Sequence, residues 1–510
     1  MTKLKDLHQV VKAWAQCEDV AICQGDVSLR YKDIVALFDY LTGDYFADIK
    51  DGSRIALVLP EGVSMATVLM YSFQRYAVLP LTTRYLSEEY ASILRDFNIE
   101  YVLSSTALAH EELKAACQTV NIPLIVMPPV EAIWTSLKDG TAQPKTNQTK
   151  ALSDKATGQL LLHTSGTTGK PKRVVLRVEQ LMASVEDIQQ SYGLTSADRS
   201  LTVMPLFHIH GIVAGLLTPL LTGGSLVLLG QGFDVVAFYE ALKRYAPTWY
   251  SAVPTMHHSI VHYAQARHPA KIAHTLRFIR SSSMALPQVI ADGLRQYFAV
   301  PVYQAYGMTE AAHQIATQQK DCPNTPASVG YLTGVTVQIR DEATGKPLLA
   351  EAKGVIWICS RHVIAHYEGL KPSESGVDSA GFFNTGDIGY LSEAGELFIV
   401  SRIKELINKG GEKLSPVEIE EVLLTHPAID QAVCFALEDA YYGEDVGAAV
   451  VLKAGKQASE AAMREYVGYT LSQAKIPRTI YILDQLPKGR TGKLQRIGLE
   501  ARLKKKIVPN

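Results

Sequence analysis

Short runs of β-branched and aromatic residues recur along the chain between turn residues. They include SRIALVLP at Ser53, EYVLSS at Glu100, PLIVMP at Pro123, GQLLLHTS at Gly158, SLTVMP at Ser200, GSLVLLG at Gly224, TWYSAVP at Thr248, LRFIRSS at Leu276 and PVYQAYG at Pro301. Longer stretches of helical character, such as SMATVLMYSFQRYAV at Ser64, lie between many of them. Buried strands alternating with helices predict largely parallel sheets covered by helices. After about Gly330 the pattern turns to strand-turn-strand, with VTVQIRDEATGKPL, GVIWICS and GELFIVS and few helices, which predicts a β-rich subdomain. From Ser401 a smaller unit follows. It has a helix at PVEIEEVLLTH, strands at AVCFALE and GAAVVLK, and a helix at SEAAMREYVGYTLSQAK. The expected fold is α/β: a large N-terminal body of two helix-covered mixed sheets plus a β-rich subdomain, with a small mobile α+β C-terminal domain. The boundary falls in Ser401 to Lys404, giving domains 1–400 and 405–510 on either side of a hinge at 401–404. There is no internal repeat, and Asp139 to Ala156 is the one obvious polar linker.

Composition narrows this picture. A chain of 510 residues is too long for one core, and 47% hydrophobic with 20% charged residues is ordinary globular usage. With 50 Lys+Arg against 51 Asp+Glu, bulk charge favours neither nucleic acid nor an anionic membrane. The six cysteines have no CxxC pair and no zinc spacing, which points to reduced thiols and a cytoplasmic location. The N-terminal MTKLKDLHQVVKAWAQ reads as a charged amphipathic helix rather than a signal peptide, and the tail LKKKIVPN carries no lipidation signal. Ser200 to Phe233 lacks Asp, Glu, Lys and Arg, yet Pro205, His208, His210, Pro219 and Gly223-Gly224 interrupt it. A membrane span there would leave backbone groups unpaired in lipid, so a buried strand, loop and helix are expected.

The stretch LLLHTSGTTGKPKRVV, Leu160 to Val175, has the composition of a phosphate loop. It is not a Walker loop: Thr164 stands where that motif needs its first glycine, and Pro171 follows Lys170. Thr164, Ser165, Thr167 and Thr168 nevertheless supply hydroxyls, Gly166 and Gly169 let backbone N–H groups approach an anion, and Lys170 adds charge. Taken alone, such a loop fits a turn with no ligand equally well.

Four further segments stand with it in order: YGMTE at Tyr306, NTGDIGY at Asn384, SRIKELINKGGEK at Ser401 and PKGRTGK at Pro487. Together the five resemble the adenylate-forming superfamily of acyl-CoA synthetases, peptide-synthetase adenylation domains and luciferases, over nearly the whole chain. PLFHIHG at Pro205, SAVPTMHH at Ser251, RFIRSSSMAL at Arg277 and NKGGEKLSPVEIEEVL at Asn408 look most like oxalate–CoA ligases. The resemblance implies a soluble enzyme that joins a small carboxylic acid to AMP with loss of pyrophosphate and then passes the acyl group to a thiol, using ATP, Mg2+ and CoA. Domain 1–400 would bind ATP and the acid.

The resemblance also implies residue roles. Ser165 to Lys170 and Mg2+ would neutralise the triphosphate, with Glu310 as metal ligand and Thr309 on the α-phosphate. Tyr306 would lie against adenine, and Asp387, assisted by Arg402, would bind the ribose hydroxyls. Lys493 would meet the carboxylate and α-phosphate during adenylation. Lys404 would be the hinge, and Gly410 and Gly411 would line a pantetheine tunnel. His208, His257 and His313, with Ser281, Ser282 and Ser283, would surround the acid and favour a short polar one such as oxalate. The serines admit two readings: added polar contacts, or a narrower pocket floor. Two departures touch the pattern: Arg173 stands where glycine is common, and Ser281 to Met284 replace small Gly/Ala residues. Alternatives are a stand-alone adenylation enzyme loading a carrier-protein pantetheine, and a nucleotide-binding scaffold that has lost catalysis. The expected assembly is a monomer or homodimer.

Overall fold

The computed structural model of the protein describes all residues except 1–5, 109–110, 144–157, 165–170, 231, 268–272, 321, 323–324, 488–495 and 508–510. Three sheets organise the described chain, of thirteen, six and five strands. The six-stranded sheet contains Arg54–Val58, Ala77–Pro80, Tyr101–Ser105 and Leu124–Met127 in parallel, and ends in the antiparallel pair Gln159–Thr164 and Lys172–Arg177. In the thirteen-stranded sheet a parallel centre runs through Ser225–Leu228, Arg199–Thr202, Trp249–Ala252, Phe278–Ser282 and Val302–Tyr306. The strand-turn-strand region expected as a β-rich subdomain continues this same sheet through antiparallel pairs, so it is joined to the body by backbone hydrogen bonds.

Why the two large sheets pack together follows from the helix Val63–Ser72. Every one of its residues is buried. It packs against Ala77–Pro80 of one sheet and Val20–Gln24 of the other, so an all-round apolar helix has no solvent face to supply. Helical character ends at Ser72, earlier than SMATVLMYSFQRYAV predicts. The alternation at Tyr76 to Leu79 instead feeds the parallel strand Ala77–Pro80, whose edges are paired on both sides. Ser200 to Phe233 forms the strand Arg199–Thr202, a π-helical turn Gly211–Leu217, the short helix Thr218–Leu221 and the strand Ser225–Leu228. Among the described residues no helix is long and apolar enough to cross a membrane.

The strand Glu396–Arg402 is the last of the large sheet, the turn Ile403–Glu405 follows, and Ile407–Lys409 opens the five-stranded sheet. Ile429–Asp439 and Gly443–Leu452 pair antiparallel there, and helices Pro416–Thr425 and Glu460–Gly468 pack around a separate apolar cluster. The second helix ends at Gly468, shorter than the sequence pattern predicts. A 3-10 turn, Gln473–Lys475, follows and leads to the strand Thr479–Ile482.

One buried carboxylate gives the fold a pH dependence. Glu61, at the entry to Val63–Ser72, accepts a hydrogen bond from the Leu206 amide at 3.2 Å, while its buried Oε1 has no hydrogen-bond partner among the described residues. Burial raises its pKa from 4.5 to about 7. Between those values the folded chain holds a proton that the unfolded chain releases, so stability falls as pH rises through the window. At 1.36 kcal/mol per unit the loss is about 3 kcal/mol at most. Glu61→Gln is therefore expected to raise the melting temperature at pH 8 and to flatten its dependence between pH 4.5 and 7, as read by calorimetry. An unchanged slope would assign the dependence to another group.

Candidate active site

A cleft of about 2350 Å3 opens at the carboxyl ends of the parallel strands, between the large body and the small domain. This is where an open α/β sheet presents loops that can converge on a ligand. Tyr306 ends the strand Val302–Tyr306, and the loop after it turns back so closely that a Cβ on Gly307 would stand 1.4 Å from the His313 carbonyl oxygen. Glycine is therefore required there, and the turn sets Thr309, Glu310 and His313 on the cleft wall.

Three of the expected nucleotide-site residues form one cluster. Asp387 and Arg402 are cross-strand partners in the pairing of Phe383–Leu391 with Glu396–Arg402. The Arg402 Nε donates to Asp387 Oδ1 at 2.8 Å, and the Tyr306 hydroxyl donates to Asp387 Oδ2 at 2.5 Å. The carboxylate is nearly buried, so each partner matters more than it would in water. A carboxylate has about four lone-pair sites. After these two contacts the carboxylate keeps acceptor capacity for further hydroxyl donors. Burial first, and then the Asp387 charge, push the Tyr306 phenol well above its usual range, keeping it a donor.

Glu310 is buried in the 3-10 turn Thr309–Ala311 and accepts from the Tyr367 hydroxyl at 2.7 Å. Burial raises its pKa, opposed by that hydrogen bond and by the charges of Arg402 and Lys172. Lys172 was given no role from the sequence. Its ammonium lies 4.3 Å over the Tyr367 ring, so it faces the same pocket, and its position one residue past Pro171 on the strand was the available signal. Among the described residues no group of three or more His, Cys, Asp or Glu could hold a metal. A single buried carboxylate nonetheless fits Mg2+, which keeps waters and takes one or two carboxylates together with substrate phosphates. When bound, Mg2+ would offset triphosphate charge; Glu310 is the residue that would hold it.

Thr164 closes the strand Gln159–Thr164 at the cleft edge; Ser165, Gly166, Thr167, Thr168, Gly169 and Lys170 lie outside the described residues, as does Lys493. Lys404 lines the cleft from the turn Ile403–Glu405. Gly410 and Gly411 occupy the tip of the hairpin Ile407–Leu414 with φ of 60° and 93°, a turn that L side chains resist. They are exposed and do not line the cleft.

At the acid end the structure separates the expected residues. His208, Ser283 and His313 line the cleft. Ser281 and Ser282 do not; both are buried within Phe278–Ser282, where Ser282 Oγ donates to the Ala305 carbonyl at 3.0 Å and Ser281 Oγ has no hydrogen-bond partner among the described residues. His257 is also fully buried away from the cleft, and burial lowers its pKa to about 3. Ser283 and His313 both adopt left-handed backbones, at φ 75° and 99°. Strain of that kind persists where surrounding structure over-determines it, and it collects at functional sites. His210, which sequence reasoning passed over in favour of His208, lines the cleft and stacks on His313 with ring centroids 4.7 Å apart. Its place one residue before a π-turn is a signal readable only once the backbone is known. Met284 also lines the cleft, whereas Arg173 does not. Arg173 instead clamps the Glu368 carbonyl at 3.2 Å and the Asp96 carbonyl, so its departure from the family pattern has a structural role.

The large body and the small domain meet at this cleft, with the Asp387–Arg402–Tyr306 cluster on its wall. The AMP-binding enzyme model matches residues 12–368, and the AMP-binding enzyme C-terminal domain model matches 418–493. An oxalate–CoA ligase of Arabidopsis thaliana is 36% identical over 456 residues, covering 88% of each chain. A sulfoacetate–CoA ligase of Cupriavidus necator is 34% identical over 344 residues, covering 67% of this chain and 66% of that one. The solved ATP-bound MatB of Rhodopseudomonas palustris shares the fold with a TM-score of 0.85 at 23% identity, covering 99% of this chain and all of that one. The chain belongs to the AMP-binding enzyme family, in the acyl-CoA synthetase branch of the adenylate-forming superfamily. It is an ATP-dependent, AMP-forming acid–thiol ligase that uses ATP, Mg2+ and CoA.

Proposed function

We propose that this enzyme activates a short acid carrying a second anionic group, oxalate foremost, as its acyl-adenylate, and transfers the acyl group to the thiol of CoA in the cytoplasm. The observation that carries the acid is the donor-rich part of the cleft wall, where His210 meets Ser283 and stacks on His313, and where His208 also lines the cleft. A fatty acid would call for apolar lining there, whereas imidazole and hydroxyl groups pair with a distal carboxylate. The relatives named for oxalate and sulfoacetate share that chemistry: two carbons and two acidic groups. In this reading Asp387 holds the ribose, Tyr306 flanks the adenine, Thr309 meets the α-phosphate, and Glu310 serves Mg2+.

Pyrophosphate release is to be measured with CoA as acceptor over oxalate, malonate, sulfoacetate, acetate, hexanoate, benzoate and several amino acids. A site whose buried donors go unpaired with the wrong acid rejects it by factors of about 100 or more. The expected result is a kcat/KM for oxalate at least that far above acetate. Preference for hexanoate or benzoate over every short polar acid rejects the proposal.

A further inference from the structure

Beneath the acid end of the cleft lies a charge that the reading above does not use. Arg280, on the strand Phe278–Ser282, is fully buried, and its hydrogen-bond partners among the described residues are hydroxyl, amide and imidazole groups, with no carboxylate among them. They are the Tyr192 hydroxyl at 3.1 Å, Ser251 Oγ at 2.9 Å, Gln314 Oε1 at 3.0 Å and His210 Nε2 at 3.4 Å. Burying a guanidinium costs several kcal/mol unless something answers its charge. Acceptors of this kind answer its hydrogen bonds but leave much of its field.

Arginine can only donate, and this sets the direction of every contact above it. Ser251 Oγ accepts from Arg280 Nη1, so its own hydrogen is available to His210 Nε2, 2.7 Å away. With a guanidinium donor also directed at it, Nε2 serves as the acceptor, which leaves the ring proton on Nδ1. A proton on both ring nitrogens would bring two cations within 3.4 Å. Nδ1 faces Ser283 Oγ at 3.1 Å. Ser283 accepts from it, which turns the Ser283 hydrogen toward the cleft that this side chain lines. The left-handed backbone of Ser283 holds the hydroxyl at that end of the relay.

We infer that Arg280 is a positioning residue for the acid's second anionic group. Acting through Ser251 and His210, it fixes Ser283 as a donor and sets positive charge beneath that end of the cleft, which selects a dianionic acid over a monoanionic one of equal size. This rests on the reading that the substrate carries a second anionic group.

The test compares kcat/KM for oxalate and for glyoxylate, which has two carbons but one carboxylate, in the wild type, Arg280→Met, Arg280→Lys and Ser251→Ala. In Arg280→Met the oxalate-to-glyoxylate ratio is expected to fall about 100-fold, through KM for oxalate, with KM for ATP held. Arg280→Lys restores part of the ratio, since it keeps charge without the fork. Ser251→Ala removes one buried hydroxyl, keeps the charge and lowers the ratio about tenfold. If Arg280→Met fails to fold, Ser251→Ala decides alone. Parallel loss for both acids, or an unchanged ratio in Ser251→Ala, overturns the inference while leaving the oxalate reading intact. A wild type that does not prefer oxalate to glyoxylate overturns the reading itself, and the inference with it.

Discussion

Lys493→Ala is expected to abolish pyrophosphate release from ATP and acid while leaving much of the thioester-forming step when preformed acyl-adenylate is supplied. The reacting carboxylate must approach a triphosphate, and both are anions. Among the described cations that line the cleft, Arg402 is engaged by Asp387, Arg496 is engaged by Glu405 and Glu420, Lys172 lies over the Tyr367 ring, and Lys404 sits in the linking turn. A compact ammonium on a flexible stem suits a short-lived contact with the attacking carboxylate and the α-phosphate. The place of Lys493 in PKGRTGK gives it the role in this proposal. Removing one such electrostatic contact costs about 100- to 1,000-fold in rate. The two half-reactions are separable by pyrophosphate release and by acyl-CoA formation from synthetic adenylate. Equal loss in both assays would move Lys493 out of the adenylation step.

Much of the body was legible because its strands are short, apolar and bounded by turn residues. Arg54–Val58, Trp249–Ala252 and Val302–Tyr306 lie where the pattern predicts them. The overlong helical reading at Ser64 has a tertiary cause: pairing at Ala77–Pro80 takes the end of that stretch into a strand, and local periodicity carries no trace of a distant partner. The reading at Ser459 overran Gly468, beyond which the chain forms the 3-10 turn Gln473–Lys475. That Tyr306, Asp387 and Arg402 belong together was legible because all three sit in motifs, although the cross-strand register that joins the last two is a property of the sheet. The acid end was harder. SSSM shows three adjacent hydroxyls, but a strand points alternate side chains to opposite faces, and the break in backbone geometry at Ser283 brings only the last one into the cleft. Arg280 in the same segment was given no role from the sequence; its burial among hydroxyl, amide and imidazole partners is visible only in three dimensions.

Lys404→Pro is expected to preserve adenylation and stop acyl-CoA formation. The residues on either side are anchored to different bodies. Arg402 is held to the large domain by its ion pair with Asp387 and by strand pairing. Glu405 is paired with Arg496 of the small domain, which also holds Glu420 at 2.7 Å. Only Ile403 and Lys404 stand between those anchors, so a rotation of the small domain must be absorbed there. Such a rotation is needed if Gly410 and Gly411 are to serve a pantetheine arm, because their hairpin tip stands outside the cleft in this arrangement. The segment Ile403–Glu405 is a 3-10 turn, whose φ lies close to the value of about −65° that proline imposes. The substitution is thus compatible with the pose seen and opposes departure from it. Proline locks φ near −65° and so opposes departure from it; a barrier increase of about 3 kcal/mol corresponds to about 100-fold in rate. Pyrophosphate release is expected to stay within about tenfold of the wild type while acyl-CoA formation falls by about 100-fold. A similar decrease in both half-reactions would place the hinge at another position.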